Sequence, residues 1–133
     1  MKTSITVRFP FEAAHALPLM AEGHKCRRLH GHSYVAEFTL EAKSVLNEYG
    51  MICDSSEVRV ILGPIIAKLD HRDLRELEDS TLEADDVRRQ PTAENLCRWL
   101  WARTAGMLSN GQWYQLTKIR VHETERLWAE VTR

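Results

Sequence analysis

Three histidines near the start of the chain have the residue type and spacing of a metal site. His15 ends a stretch of alternating apolar residues, and His30 and His32 open the next such stretch. Residues two apart on a strand project from the same face of a sheet, so antiparallel pairing of the two stretches would bring His15 opposite the other two. Three imidazoles held on rigid strands are the ligand set of an open zinc site, whose fourth position takes water or substrate.

Two alternatives to a zinc site stay open on spacing alone. Affinity does not exclude copper, nickel or iron from an all-nitrogen site. The histidines could also be polar strand ends that bond to backbone or water, although the third histidine favours a metal. His24, His71 and His122 are out of phase with this set and, taken singly, are interpreted as structural.

A cysteine and an aspartate–histidine pair are candidates for proton transfer. Cys26 lies four residues before His30 and has basic residues on both sides, and cationic neighbours raise the thiolate fraction of a thiol. Asp70 directly precedes His71. An aspartate that orients a histidine, which in turn takes a proton from a thiol, is a general acid–base relay.

A carboxylate continues an apolar strand face near the end of the chain. Glu123 is in phase with Ile119 and Val121, and its ordinary interpretation is a strand end that reaches water. A carboxylate there could also accept two N–H bonds from the planar, amidine-like edge of a guanine or pterin ring. The sequence alone leaves both interpretations open.

The residues around these groups alternate with the period of β-strands at both ends of the chain. Apolar and polar residues alternate over 5–15, 34–41, 117–123 and 127–131. A period of two residues is typical of half-buried strands. The pattern therefore predicts four strands, in two pairs that flank a central segment.

The central segment changes to helical spacing. Apolar residues over 58–69 recur on one helix face, in which Gly63 and Pro64 are expected to produce a kink. A second helix is predicted after Pro91, with Thr92 as N-cap and Ser109-Asn110-Gly111 as its end. Residues 72–91 are charged and without period, which predicts a loop that could contain one helical turn.

The order of these elements predicts an α+β fold, with a four-stranded antiparallel sheet and two helices on one face. The chain has 133 residues and no repeat or linker, so a single domain over residues 1–133 is expected. Two open sheet edges and an uncovered face are poorly tolerated in an isolated sheet. Subunits are therefore expected to join their sheets in a homo-oligomer.

Composition excludes several classes of protein. Eighteen basic and nineteen acidic residues leave a formal charge of −1, which gives no field for nucleic acid or an anionic membrane. The longest apolar stretch is far shorter than the roughly 20 residues of a membrane span. Cys26, Cys53 and Cys97 are widely spaced and odd in number, which argues against a disulfide framework and for a cytoplasmic location.

Taken together, the motifs resemble the 6-pyruvoyltetrahydropterin synthase superfamily, and most closely its bacterial 6-carboxytetrahydropterin synthase branch. The specific signal is Cys-x-x-x-His-Gly-His after a strand that ends in Phe-Glu-Ala-Ala-His. The matching segments, in the family's order, are residues 11–15, 22–32, 69–71, 91–94 and 122–124. The resemblance implies a T-fold whose subunits assemble into a barrel, usually as a homohexamer.

The resemblance also implies a role for each candidate residue. The implied metal ligands are His15, His30 and His32 for Zn²⁺, the implied catalytic residues are Cys26, Asp70 and His71, and the implied substrate-binding residues are Glu123 and Thr92. Sites in this family are built between subunits, so pocket residues are expected from more than one chain.

The implied activity is that of a zinc-dependent carbon–carbon lyase. Its substrate would be 7,8-dihydroneopterin triphosphate and its products 6-carboxy-5,6,7,8-tetrahydropterin, acetaldehyde and triphosphate, on the route to queuosine and other 7-deazapurines. A 6-pyruvoyltetrahydropterin synthase, or a paralogue acting on another pterin, is the alternative with the same site. Alternatives of other classes are a hydrolase using zinc hydroxide and a non-catalytic zinc- or pterin-binding protein. Ser55 and residues 125–128 depart from the family pattern and bear on substrate preference.

Overall fold

The computed structural model describes residues 1–109 and 113–133. Its strands and helices, in chain order, are β1 (Ser4–His15), β2 (His30–Ala42), α1 (Ser55–Ile66), β3 (Arg72–Asp73), α2 (Leu82–Arg89), α3 (Ala93–Ser109), β4 (Tyr114–His122) and β5 (Trp128–Thr132). Two short 3-10 turns, Lys25–Arg27 and Leu74–Glu76, lie in the connections.

The strands form one sheet in the order β3-β1-β2-β4-β5. The four long strands are antiparallel to their neighbours, as predicted, and β1 pairs with β2 so that His15 lies opposite His30. The fifth strand, β3, pairs in parallel with β1 over only two residues. Two residues carry no periodic signal, which is why the sequence pattern did not predict this strand.

One face of the sheet carries the core. Alternate residues of the strands are buried there against α1 and α3, as the α+β prediction requires. The buried residues of this face are Val7, Phe9, Phe11, Ala13, Tyr34, Ala36, Phe38, Leu40, Tyr114, Leu116, Ile119 and Val121. The opposite face is polar and is not covered by any described helix of this chain.

A bulge in β4 keeps both halves of that strand on the core. The pairing of β2 with β4 skips Thr117 between Leu116 and Lys118. An extra residue reverses the in–out alternation, so Leu116 and Ile119 are both buried although their separation is odd. Strict alternation predicted a strand only from residue 117, whereas β4 begins at Tyr114.

The prediction of a loop over residues 72–91 is wrong for most of that segment. It contains β3, a 3-10 turn and the eight residues of α2. The Thr81 hydroxyl caps α2 by accepting the Ala84 N–H, at 3.3 Å. This helix buries only Ala84 and Val87, and two apolar residues three apart are too few to reveal a helical period.

The two predicted helices are present with shifted ends. Asp54 caps α1, which begins at Ser55, contains Pro64 and ends at Ile66, three residues before the predicted end. The Thr92 hydroxyl accepts the Asn95 N–H at 3.2 Å, as expected of the N-cap of α3. The predicted stop of α3 includes Asn110 and Gly111, which lie outside the described residues. Among the helices described, none is long and apolar enough to cross a membrane.

Candidate active site

The three predicted metal ligands converge at one end of the sheet. His15 ends β1, and His30 and His32 lie at the start of β2. Each ring has one nitrogen that lies within 4.8 Å of a nitrogen of each of the other two rings. His15 is fully buried, while His30 and His32 are half-buried. Gly31 lets β1 and β2 pair closely between the histidines, because a Cβ at its position would lie 3.3 Å from the Ala13 carbonyl oxygen.

Backbone carbonyls fix the tautomers of two of these rings. His15 Nδ1 lies 2.7 Å from the Pro91 carbonyl oxygen, and His30 Nδ1 lies 2.7 Å from that of Arg28. A carbonyl oxygen only accepts hydrogen bonds, so both Nδ1 atoms carry the proton and donate it. In the neutral rings each Nε2 is then left with a lone pair, which is the form that binds metal.

The two Nε2 atoms of His15 and His30 face each other at 3.0 Å. Two lone pairs at this distance repel unless a proton or a metal cation lies between them. Burial lowers the pKa of His15, against the opposing effect of its hydrogen bond to Pro91, so a proton is disfavoured. Tetrahedral zinc, with Zn–N bonds of about 2.0–2.1 Å, places its ligand nitrogens about 3.4 Å apart, close to the separation observed.

The third histidine also has an unused ring nitrogen. His32 Nε2 is buried without a hydrogen-bond partner and lies 3.5 Å from Glu123 Oε1. Burial lowers the pKa of His32, which the Glu123 charge opposes. Three imidazoles whose Nε2 atoms are not bonded to any described donor therefore fit a divalent metal ion.

Tyr34 supports the cluster and was not among the predicted site residues. Its hydroxyl lies 3.2 Å from His15 Nδ1, and its ring stacks on Phe11 with centroids 5.0 Å apart. Burial raises the pKa of Tyr34, so the hydroxyl keeps its proton. The signal for it was its position two residues after His32 on the same strand face.

The predicted Asp70–His71 pair is present and is hydrogen-bonded to β1. Asp70 Oδ1 lies 3.0 Å from His71 Nδ1 and accepts the Glu12 backbone N–H at 2.8 Å. His71 has a φ of +59°, and this left-handed turn lets adjacent side chains meet. The Glu12 N–H, and then His71, lower the pKa of Asp70, which stays ionised.

An open cleft joins the relay to the histidine cluster. Its volume is about 500 Å³, within the range of small-molecule sites. Its lining residues are Glu12, Ala13, Ala14, Gly31, His32, Ser33, His71, Arg72 and Asp73. His32 and His71 thus line the same cleft, although His32 belongs to β2 and His71 lies between α1 and β3.

Cys26 lies apart from that relay within one chain. It occupies the middle of the Lys25–Arg27 turn as a half-buried free thiol. In the part of the chain that the structure describes, no hydrogen bond joins this thiol to His71, and Cys26 does not line the cleft. Its predicted catalytic role stays a prediction.

The two predicted substrate-binding residues both lie next to the histidine cluster. Glu123 directly follows β4, and its side chain is only 16% exposed beside His32, so it is not a strand end reaching water. Thr92 uses its hydroxyl to cap α3, and the preceding Pro91 carbonyl holds His15. Contact of either residue with a substrate stays a prediction.

Comparison with known proteins places this geometry in a family. Residues 4–133 match the family model described as 6-pyruvoyl tetrahydropterin synthase. A protein of Archaeoglobus fulgidus named putative 6-carboxy-5,6,7,8-tetrahydropterin synthase is 32% identical over 130 residues, covering 97% of this chain and 95% of that protein. One of Synechocystis named 6-carboxy-5,6,7,8-tetrahydropterin synthase is 43% identical over 101 residues, 71% of this chain and 69% of that protein.

Solved structures confirm the predicted T-fold. The structure of Caenorhabditis elegans 6-pyruvoyl tetrahydropterin synthase superposes with a TM-score of 0.81 at 21% identity, covering all of this chain and 96% of that one. The predicted resemblance, and with it the prediction of an enzyme family, is confirmed by these matches. The chain belongs to the 6-pyruvoyl tetrahydropterin synthase family.

Proposed function

We propose that this protein is a zinc-dependent lyase that converts 7,8-dihydroneopterin triphosphate and one water molecule to 6-carboxy-5,6,7,8-tetrahydropterin, acetaldehyde and triphosphate. The observation that supports the metal site is the 3.0 Å approach of the Nε2 atoms of His15 and His30, whose Nδ1 atoms both bond to carbonyl oxygens. The names of the relatives at 32% and 43% identity support the carboxy product.

His15, His30 and His32 would hold the metal ion. Bound Zn²⁺ would act as a Lewis acid toward an oxygen of the substrate side chain and acidify the adjacent C–H bonds. The burial of His15 favours its neutral ring, and the carbonyl bonds at Nδ1 orient the rings of His15 and His30 for this purpose. The depressed pKa of His15 means that protons compete weakly with the metal at neutral pH.

Protons of the substrate would be moved by Cys26 and His71. Asp70 holds the Nδ1 side of His71, so that Nε2 is the atom available for transfer. The ionised state of Asp70 stabilises the imidazolium that forms when His71 accepts a proton. Glu123, beside the cluster, would accept two N–H bonds from the pterin edge, and the Thr92 segment would line the pocket.

The proposal includes an assembled enzyme. Because one chain does not bring Cys26 to His71, we infer that the site is completed between subunits of a homo-oligomer, with a hexameric barrel as the expected form. A single domain over residues 1–133, a cytoplasmic location and a step toward queuosine or another 7-deazapurine complete the proposal. All three cysteines are free thiols, in keeping with a reducing compartment.

The test is a product assay by mass spectrometry. Zinc-loaded protein is incubated with 7,8-dihydroneopterin triphosphate, beside Cys26→Ala as the active-site variant and Cys53→Ala as a matched thiol control. We expect 6-carboxytetrahydropterin and acetaldehyde from the wild type and Cys53→Ala, and a rate lower by about 10² or more in Cys26→Ala.

Other outcomes of the same assay reassign the protein. A pyruvoyl product would place it with the 6-pyruvoyl enzymes, whose solved structures share its fold. Unchanged substrate with zinc bound would contradict the lyase proposal and leave a pterin-binding role or a different pterin. Wild-type turnover in Cys26→Ala would remove the thiol from the mechanism.

A further inference from the structure

His24 has no place in the proposed metal site or relay, yet it contacts the main chain of Cys26. Its Nδ1 accepts the Cys26 backbone N–H at 3.1 Å. The imidazole thereby caps the 3-10 turn Lys25–Arg27 in the position where aspartate, asparagine or serine is usual. The His24 side chain itself is exposed.

The main chain of Cys26 makes a second hydrogen bond, through its carbonyl oxygen. The Cys26 carbonyl oxygen accepts the Leu17 N–H at 2.7 Å, which ties the far side of the residue to the end of β1. Gly23 has a φ of +82°, a conformation that favours glycine, and turns the chain immediately before His24. Both backbone groups of Cys26 are therefore held, one by main chain and one by the imidazole.

A 3-10 turn of three residues has too few internal hydrogen bonds to hold its own shape. The direction of the Cys26 thiol depends on the peptide planes on either side of it. Release of the N–H frees one of those planes, whereas the thiol itself stays chemically unchanged. The expected consequence is a misplaced proton-transfer group, and small displacements of such groups reduce turnover strongly.

We propose that His24 is a positioning residue for Cys26, which acts by accepting the Cys26 N–H through Nδ1. The inference rests on the proposed function, since it assigns His24 a role through the thiol that moves a proton. It predicts that the acceptor atom matters and that the imidazole ring does not. Asparagine, a short side chain with an acceptor oxygen and a favourable N-cap, should replace it.

The experiment compares His24→Ala and His24→Asn with the wild type, and with Glu22→Gln as a matched change in the same exposed loop. Measured on the zinc-loaded protein are kcat and KM for 7,8-dihydroneopterin triphosphate, the zinc content, and the exchange of the Cys26 amide by residue-resolved hydrogen–deuterium exchange mass spectrometry. We expect His24→Ala to lose about tenfold in kcat with KM within about twofold and zinc unchanged. Its Cys26 amide should exchange faster, and His24→Asn should restore both readouts.

Two results would overturn the inference. One is wild-type kcat in His24→Ala despite faster exchange of the Cys26 amide, and the other is a His24→Asn variant as defective as His24→Ala. If the wild type makes no pterin product, the proposed function fails. The exchange of the Cys26 amide then tests by itself whether His24 holds the Cys26 main chain. Protection that is lost in His24→Ala and restored in His24→Asn would then support the inference, and equal exchange in all variants would refute it.

Discussion

At the scale of single residues, the pKa values of the buried histidines make stability depend on pH. Burial places the pKa of His15 and His32 below the ordinary value of 6.5. In the metal-free protein, the unfolded chain therefore binds more protons than the folded one as pH falls through about 6.5. The free energy of unfolding should decrease as the pH falls below about 6.5. Above that pH, these two histidines should not change it.

Urea unfolding of the metal-free protein between about pH 7.5 and 5.5 measures this dependence. His32→Asn should flatten it, because one of the two groups is removed. Bound zinc should shift the loss of stability to lower pH, since the metal competes with protons for the same nitrogens. A free energy of unfolding that stays constant or rises toward acid would contradict the neutral state assigned to both rings.

Glu123 is the residue at which substrate and metal binding can be separated. In Glu123→Gln the amide nitrogen would face the N–H donors of the pterin edge, and leaving such groups unpaired costs about 1–3 kcal/mol each. KM for the pterin should rise at least about tenfold, while zinc content stays unchanged. The matched control is Glu48→Gln, an exposed carboxylate in the connection between β2 and α1. Equal pterin affinity in both variants would remove Glu123 from the substrate site.

At the scale of elements, the start of α3 connects helix stability to the metal site. The Thr92 hydroxyl caps this helix, and the adjacent Pro91 carbonyl accepts the His15 Nδ1–H. Thr92→Val removes the cap but keeps the shape, and should lower the free energy of unfolding by about 1 kcal/mol. Zinc affinity should fall with it, because the carbonyl that orients His15 is no longer held.

Thr92→Ser keeps the hydroxyl and serves as the control for that change. Urea unfolding and competition for zinc with a chelator measure the two quantities. If Thr92→Val loses stability but binds zinc as the wild type does, the cap and the metal site are independent. Loss of both in Thr92→Ser as well would mean that the methyl group, and not the cap, is responsible.

The elements also show which parts of the fold a sequence pattern can predict. Long alternation predicted the four antiparallel strands, and phase alone brought His15 opposite His30. The two-residue β3 and the weakly apolar α2 were not predicted, because neither has enough apolar residues to display a period. In the site, the side chains were predictable by type and phase, whereas the orienting carbonyls of Pro91 and Arg28 were not. Any residue can supply a carbonyl, so no sequence signal marks one.

At the scale of the whole molecule, the open edge of β1 limits how subunits can join. Glu12 directs both backbone groups away from β2, toward Asp70 and His71. By alternation, the N–H groups of residues 4, 6 and 8 point the same way, and Pro10 has none to offer. In the proposed homo-oligomer we therefore expect a partner strand to pair over about residues 4–8, a length that suits the five residues of β5.

Thr6→Pro tests this mode of assembly. The substitution removes the N–H of residue 6. This N–H points to the open edge and makes no hydrogen bond to β2, and strands tolerate proline at such positions. We expect the oligomer to dissociate in sedimentation velocity while far-ultraviolet circular dichroism stays that of the wild type. Thr6→Val keeps the N–H and should stay assembled. An intact oligomer in Thr6→Pro would exclude pairing through this edge.

The central claim is that His15, His30 and His32 hold a zinc ion between unprotonated nitrogens. Its most direct test is anomalous scattering from crystals of zinc-loaded protein, recorded on both sides of the zinc absorption edge. The account predicts one peak per chain, about 2.0–2.1 Å from a nitrogen of each of the three rings, and no peak in His30→Ala. A peak on other residues, a peak that persists in His30→Ala, or a metal other than zinc would contradict it.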